Sequence, residues 1–268
     1  MNDFDMIERN GVKLYTVSLF EKTGLVKTGF STRIGGVSKG KFASLNFSFI
    51  TGDERVNVVE NYRRYADTLG VDMEKMVLTR QVHKDHVHVA RKEDFGAMVM
   101  RDCELPEADA LITDMPGVTL VKFSADCPII YLLDTKRKTA GLVHSGWRST
   151  AMDIVGKTVH KMTETYGSLP SDMIAAIGPC IEVCCFEVGN EVAKIFYEGY
   201  GEDVIESGHE KPHVDLKKVL KMQLEKAGIP DDKIATADMC IGCNLDLFHS
   251  YRITRGKCGL SIGTITLI

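Results

Sequence analysis

Three residues far apart in the chain are of types that do chemistry: His83 in Gln81-Val82-His83, Cys127 in Ala125-Asp126-Cys127, and His144 at the head of His144-Ser145-Gly146-Trp147-Arg148. Two imidazoles and one thiolate make a good zinc half-shell, because soft sulfur and borderline nitrogen suit the ion and a missing fourth protein ligand leaves room for water. Their separations, 44 and 17 residues, match no zinc-finger spacing. Two other readings stand beside this one. A Cys next to a His can be a metal-free thiolate nucleophile of an amidase or hydrolase, with Asp126 orienting the base or edging the pocket. Equally, Cys127 and His144 can be packed groups near strand ends.

Further residues can bind an anion or a ring. Arg33 lies in Ser31–Gly40, whose glycines permit backbone that bulkier residues resist and whose Ser, Thr and Arg mark an exposed polar loop. A guanidinium fork beside backbone N–H groups there suits a phosphate oxyanion. Arg148, just before a long predicted helix, and Arg252, after a short aromatic segment, can serve an anion or anchor a strand end. Phe248 can cover an aromatic ligand or fill the core, and His249 beside it is a pocket candidate. His86 and His88 share one face of a regular strand while His83 points away, so the three do not form a ligand set by spacing alone.

The elements that must position these groups alternate between types. Val12–Leu19 and Leu25–Phe30 read as strands. Thr51 and Glu54 have the capping-box spacing ahead of a helix to Leu69, with Val58, Tyr62, Tyr65 and Leu69 as its buried stripe. Val82–Val89 reads as extended, and Ala110–Thr113, Val118–Phe123, Pro128–Leu133 and Ala140–His144 as strands. From Thr150 the period changes, and Ile154, Val155, Thr158, Val159 and Met162 mark one helix face as far as Tyr166. Met173–Ile177 is a strand, Asn190–Tyr197 and Asp215–Ala227 are helices, and Ile234–Ala237 and Gly259–Ile268 are late strands. With no repeat, linker or low-complexity tract, this predicts a single α/β (α+β) domain over residues 1–268, with mixed β-sheets flanked by helices.

Composition narrows the function. With 44% apolar and 26% charged residues over 268 positions, the chain is no disordered segment and can bury a core without disulfides. Its 33 basic and 37 acidic residues are spread evenly to a net −4, so nothing concentrates the charge that nucleic acid requires. No apolar run reaches the roughly 18 to 20 residues of a membrane span, and the acidic start is no export leader. A soluble cytoplasmic protein, with a monomer sufficient, is expected, its eight cysteines reduced and mostly buried. Nucleotide P-loops, dinucleotide fingerprints, HExxH helices, GxSxG elbows and the cytidine-deaminase signature are all missing. The spacing of Cys240 and Cys243 can hold half of a structural zinc site or a redox pair, with Cys184 and Cys185 as conceivable partners, but buried thiols are the expected account.

The ordered motifs Ser31–Gly36 (STRIGG), Gln81–His83 (QVH), Ala108–Ala110 (ADA), Ala125–Cys127 (ADC), His144–Arg148 (HSGWR), Ile177–Pro179 (IGP), Glu187–Gly189 (EVG) and Phe248–Arg252 (FHSYR) resemble the laccase-domain family, also called multicopper polyphenol oxidases, over nearly the whole chain. The resemblance implies a fold distantly similar to bacterial deamidating toxins and one zinc bound by His83, Cys127 and His144. It also implies a purine nucleoside phosphorylase that cleaves adenosine, inosine, guanosine or methylthioadenosine with phosphate, and that can deaminate adenosine. On that reading Cys127, His144 and Asp126 are catalytic, Arg33, Arg148, Phe248, His249 and Arg252 bind substrate, and purine nucleoside and phosphate are the partners. Ser145 stands where many members have alanine, and Cys243 where they usually have no cysteine. A polyphenol oxidase, as the family name suggests, would need a three-copper cluster besides an electron-transfer copper, and eight histidines scarcely supply both.

Overall fold

Apolar runs such as Ile129-Ile130-Tyr131-Leu132-Leu133 do not alternate with polar residues, and the fold supplies the reason: the strand is covered on both faces. In a computed structural model describing residues 3–208 and 210–268, Ile129, Tyr131 and Leu133 face one apolar cluster while Ile130 and Leu132 face another. Met173–Ile177 divides the same way, with Ile174 and Ala176 inward and Met173, Ala175 and Ile177 outward.

Two six-stranded sheets pack face to face. In the first, Phe4–Arg9, Val12–Val17, Val26–Ser31, Ser261–Leu267 and Thr119–Ser124 are antiparallel neighbours in that order, and Met76–Val77 adds in parallel at the edge. In the second the order is Ile234–Thr236, Met173–Ile177, Ile129–Asp134, Thr139–His144, Ala110–Thr113 and Val87–Val89, with the two outermost pairs parallel and the inner ones antiparallel. Phe30, Leu120 and Ile265 from one sheet and Tyr131, Leu142 and Ala176 from the other form a common core, so the chain folds as one domain. Helix Arg55–Leu69 covers the outer face of the first sheet through Val58, Tyr62 and Tyr65, and Ile154–Tyr166 with Leu216–Lys226 cover the second. Among the described residues no helix is long and apolar enough to cross a membrane.

The mixed-sheet α/β architecture is as expected from the sequence, and four local differences have physical causes. The first strand, Phe4–Arg9, was not anticipated, although Asn10-Gly11, both at positive φ, joins it to Val12–Val17 as a two-residue hairpin turn that such a dipeptide favours. The helix expected from Thr51 starts at Arg55, and its N-cap Glu54 makes no side-chain cap bond. The helix expected from Thr150 is broken. A short helix Trp147–Ala151 ends, Asp153 adopts a left-handed conformation, and its carboxylate accepts the Gly156 N–H at 3.2 Å to start Ile154–Tyr166. Finally, only Val87–Val89 of the predicted Val82–Val89 strand is extended. Residues 82–84 instead wrap around a buried carboxylate.

Candidate active site

That carboxylate is Asp109. It accepts the backbone N–H of Val82 at 3.0 Å, of His83 at 3.1 Å and of Lys84 at 3.0 Å, with His83 at φ 56°. Strand register places Asp109 beside His144, because Ala110 pairs with Val143 and the His144 N–H donates to the Asp109 carbonyl at 2.8 Å. The same register carries Cys127 in. Ile129 lies opposite His144, so the crossover from Thr119–Ser124 of one sheet to Ile129–Asp134 of the other brings Cys127 close to His144. The Ser124 hydroxyl holds that crossover through the Cys127 carbonyl at 2.7 Å. Ligand atoms of His83, Cys127 and His144 thus come within 4.8 Å of one another.

The chemistry of this donor set fits a thiophilic cation. The His144 Nδ1 lies 2.8 Å from Asp109 Oδ1, which leaves Nε2 as the free ligand nitrogen. Burial is the main cause that pushes the His144 pKa down to about 4, so the ring is a neutral electron-pair donor. Burial opposes ionisation of Asp109, but bonds from His144 and the 82–84 backbone outweigh it and hold its pKa at about 2. Burial first, then the negative fields of Asp126 and Asp109, pushes the Cys127 thiol up to about 12, which disfavours a bare thiolate there. Space is kept for the trio by Gly146. A Cβ at that position would stand 2.5 Å from His83 Nδ1 and 3.3 Å from Cys127 Sγ.

The trio lies in a cleft of about 940 Å³. Trp147 and Tyr251 offer aromatic faces, and Arg80, Arg148 and Arg252 line it as cations. Arg80 pairs with Glu107, and an Arg252 guanidinium N–H donates to the Glu187 carbonyl at 2.6 Å. Arg148 is exposed, stacks 4.3 Å over the Trp147 ring, and has no carboxylate partner among the described residues.

Other sequence candidates lie elsewhere or do other work. Arg33 is outside the cleft, with its Nε and Nη2 donating to the Ala43 carbonyl at 2.8 and 2.6 Å and its Nη1 to Leu245 at 2.9 Å. The expected phosphate fork therefore holds two loops together. Phe248 is fully buried, 6.0 Å from the Tyr15 ring and 5.8 Å from Phe30, and so fills the core instead of covering a ligand. His249 is also buried, outside the cleft lining, and its ring nitrogens make no well-formed hydrogen bond among the described residues. Asp126 edges the cleft, but one carboxylate oxygen accepts the Ser250 hydroxyl at 2.7 Å and the other the Arg252 N–H at 2.6 Å. Burial raises its pKa. The expectation of mostly buried thiols also fails in part, since Cys184 and Cys243 are exposed.

Two site residues escaped the sequence reading. Asp109 sits inside the Ala108-Asp109-Ala110 motif, where an acid enclosed by small residues at a strand start was the available signal. Lys122, the one charge in Thr119–Ser124, is fully buried and donates to the Ala108 carbonyl at 2.8 Å and to the Thr79 hydroxyl. Burial lowers its pKa to about 7 against the pull of Asp109.

Known proteins resemble this chain over most of its length. The "Purine nucleoside phosphorylase YlmD" of Geobacillus stearothermophilus is 36% identical over 242 residues, 88% of each chain. The "Adenosine deaminase RL5" of an unknown prokaryotic organism is 32% identical over 230 residues, 83% of this chain and 87% of its own. The crystal structure of YlmD from Geobacillus stearothermophilus superimposes with a TM-score of 0.92 at 32% identity, covering 100% of this chain and 99% of that one. The sequence pattern of the multi-copper polyphenol oxidoreductase laccase family matches residues 27–268, and the chain belongs to that family.

Proposed function

We propose that this chain is a zinc-dependent purine nucleoside phosphorylase, which takes a purine nucleoside and phosphate into the 940 Å³ cleft and releases the base and ribose 1-phosphate. The observation that carries the reading is that the His83, Cys127 and His144 donor trio and Arg148, a cation with no carboxylate partner among the described residues, line one cleft. The names of the relatives supply the reaction class. Zinc held by the trio would supply Lewis acidity and a fixed positive charge.

The chain's own residues do the rest. The Arg148 fork binds phosphate while Trp147, on which it stacks, keeps that guanidinium oriented. Trp147 and Tyr251 flank the purine, and Asp126 is a positioning residue that fixes the backbone of Arg252. A phosphate oxygen forms a bond to the anomeric carbon as the bond to purine nitrogen breaks, and the departing base takes up the proton that the hydrogen phosphate gives up. The relative named as an adenosine deaminase supports a second use of the same cleft, in which a water oxygen replaces the amino group of the adenine ring and ammonia leaves. None of the eight cysteines is in a disulfide, which suits the reducing cytoplasm in which we place the enzyme.

Incubation with inosine and phosphate tests the reading. Hypoxanthine and ribose 1-phosphate should form in equal amounts, and His144→Ala should be inactive. Free ribose in place of the phosphate ester would make the enzyme a hydrolase. Turnover that survives exhaustive chelation but not thiol alkylation would favour the metal-free Cys-His reading. Phenol-dependent oxygen uptake without base release would restore the oxidase. That outcome is not expected, because among the described residues the other group able to hold a metal is made of four cysteines and contains no histidine.

A further inference from the structure

A second group of metal-ligating side chains lies outside the cleft. Cys184 and Cys185 follow the strand Met173–Ile177, and Cys240 and Cys243 follow Ile234–Thr236, its parallel neighbour. Their four sulfurs lie within 4.8 Å of one another. The Sγ separations are 3.8 Å for Cys184 and Cys185, 3.7 Å for Cys184 and Cys243, and 3.5 Å for Cys185 and Cys243. A tetrahedron with zinc–sulfur bonds of about 2.3 Å has edges of about 3.8 Å.

The backbone holds this geometry without help from the thiols. Cys180 and Cys240 form an isolated parallel bridge, and the Ile241 N–H donates to the Cys180 carbonyl at 2.8 Å. The Cys185 N–H closes a turn on the Glu182 carbonyl at 2.9 Å, and Asn244 Nδ2 caps the Cys240 carbonyl at 2.8 Å. The Glu182 N–H points at Cys240 Sγ from 3.4 Å, the outer contact that a ligating thiolate uses. Gly242 leaves the space open, since a Cβ there would press on Cys185 Sγ at 3.1 Å. Cys184 and Cys243 reach solvent, which gives an ion a path in.

We propose that Cys184, Cys185, Cys240 and Cys243 form a closed tetrathiolate zinc site, distinct from the cleft trio. Four sulfur ligands with no open position make a structural site, and loading releases the four thiol protons. The ion joins segments that also build the cleft wall, since Ile181 and Phe186 flank the first cysteine pair and Tyr251 and Arg252 follow the second. The site stands whether or not the cleft trio binds zinc.

Metal content separates the two. Cys127→Ala should retain one zinc per chain, and Cys127→Ala with Cys243→Ser should retain none. Alkylation of wild-type protein gives a measure that needs no variant. The exposed Cys184 and Cys243 should be protected in the native protein and label at least tenfold faster after a strong chelator. Equal labelling with and without chelator, an intramolecular disulfide seen as two missing hydrogens in the intact mass, or iron in place of zinc would each overturn the assignment.

Discussion

Asp109 grips two ligand-bearing segments with one carboxylate: its Oδ1 lies 2.8 Å from His144 Nδ1, and both oxygens collect the N–H groups of residues 82–84 that aim His83. A single buried acid thereby fixes the tautomer of one imidazole and the backbone of the other. Asp109→Asn should weaken metal affinity about 10- to 100-fold, the usual cost of removing such an outer partner. Competition against a chromogenic chelator reads this directly, and wild-type affinity in a folded variant would reduce Asp109 to a structural role.

Gly146→Ala adds one methyl group, 2.5 Å from His83 Nδ1. His83 must move, so zinc occupancy and phosphorolysis should fall together, while the denaturant midpoint should change little because the displaced ring is exposed. Retained metal with retained activity would show that His83 is dispensable.

Arg148 and Arg33 should separate cleanly. Arg148→Ala removes a charge-assisted contact to phosphate worth about 1.5 to 3 kcal/mol, or roughly 10- to 100-fold in the phosphate KM, without loss of stability. Arg33→Ala leaves the Ala43 and Leu245 carbonyls without their donors and should cost about 1 to 3 kcal/mol in unfolding free energy, with phosphate dependence unchanged. Phosphate titrations and urea melts of both variants decide the matter, and a phosphate defect in Arg33→Ala alone would reverse the two roles.

His249 gives an acid-side signature. Burial, and then the nearby Arg33 charge, lowers its folded pKa to about 3, against 6.5 for an unperturbed imidazole. Between those values the unfolded state binds more protons, so stability is full above pH 6.5 and falls as pH drops towards 3, by up to about 1.4 kcal/mol per pH unit. His249→Leu should make this limb shallower, leaving the part that His144 contributes with its pKa of about 4, and leave the pH dependence of catalysis alone. Urea melts between pH 4 and 7 (a range of about 3 units around the shifted window) would show an unchanged slope if the ring were already protonated in the fold.

Local pattern was enough for much of this molecule. The unbroken apolar runs at 129–133 and 173–177 signal burial on both faces, and the helical stripe from Ile154 to Met162 is buried as its period requires. The residue types at 83, 127 and 144 already define a soft-metal donor set. Whether those donors meet depends on register: Ile129 opposite His144, Ala110 opposite Val143, and a loop drawn onto Asp109. Periodicity within a segment reports which face is buried, but carries no information about which distant segment lies beside it. For that reason Arg33 reads as an anion fork until the Ala43 and Leu245 carbonyls arrive to occupy it. The four cysteines likewise read as two pairs that are only conceivable partners, 58 residues apart between Cys185 and Cys243, until parallel pairing of Met173–Ile177 with Ile234–Thr236 brings their sulfurs into one cluster.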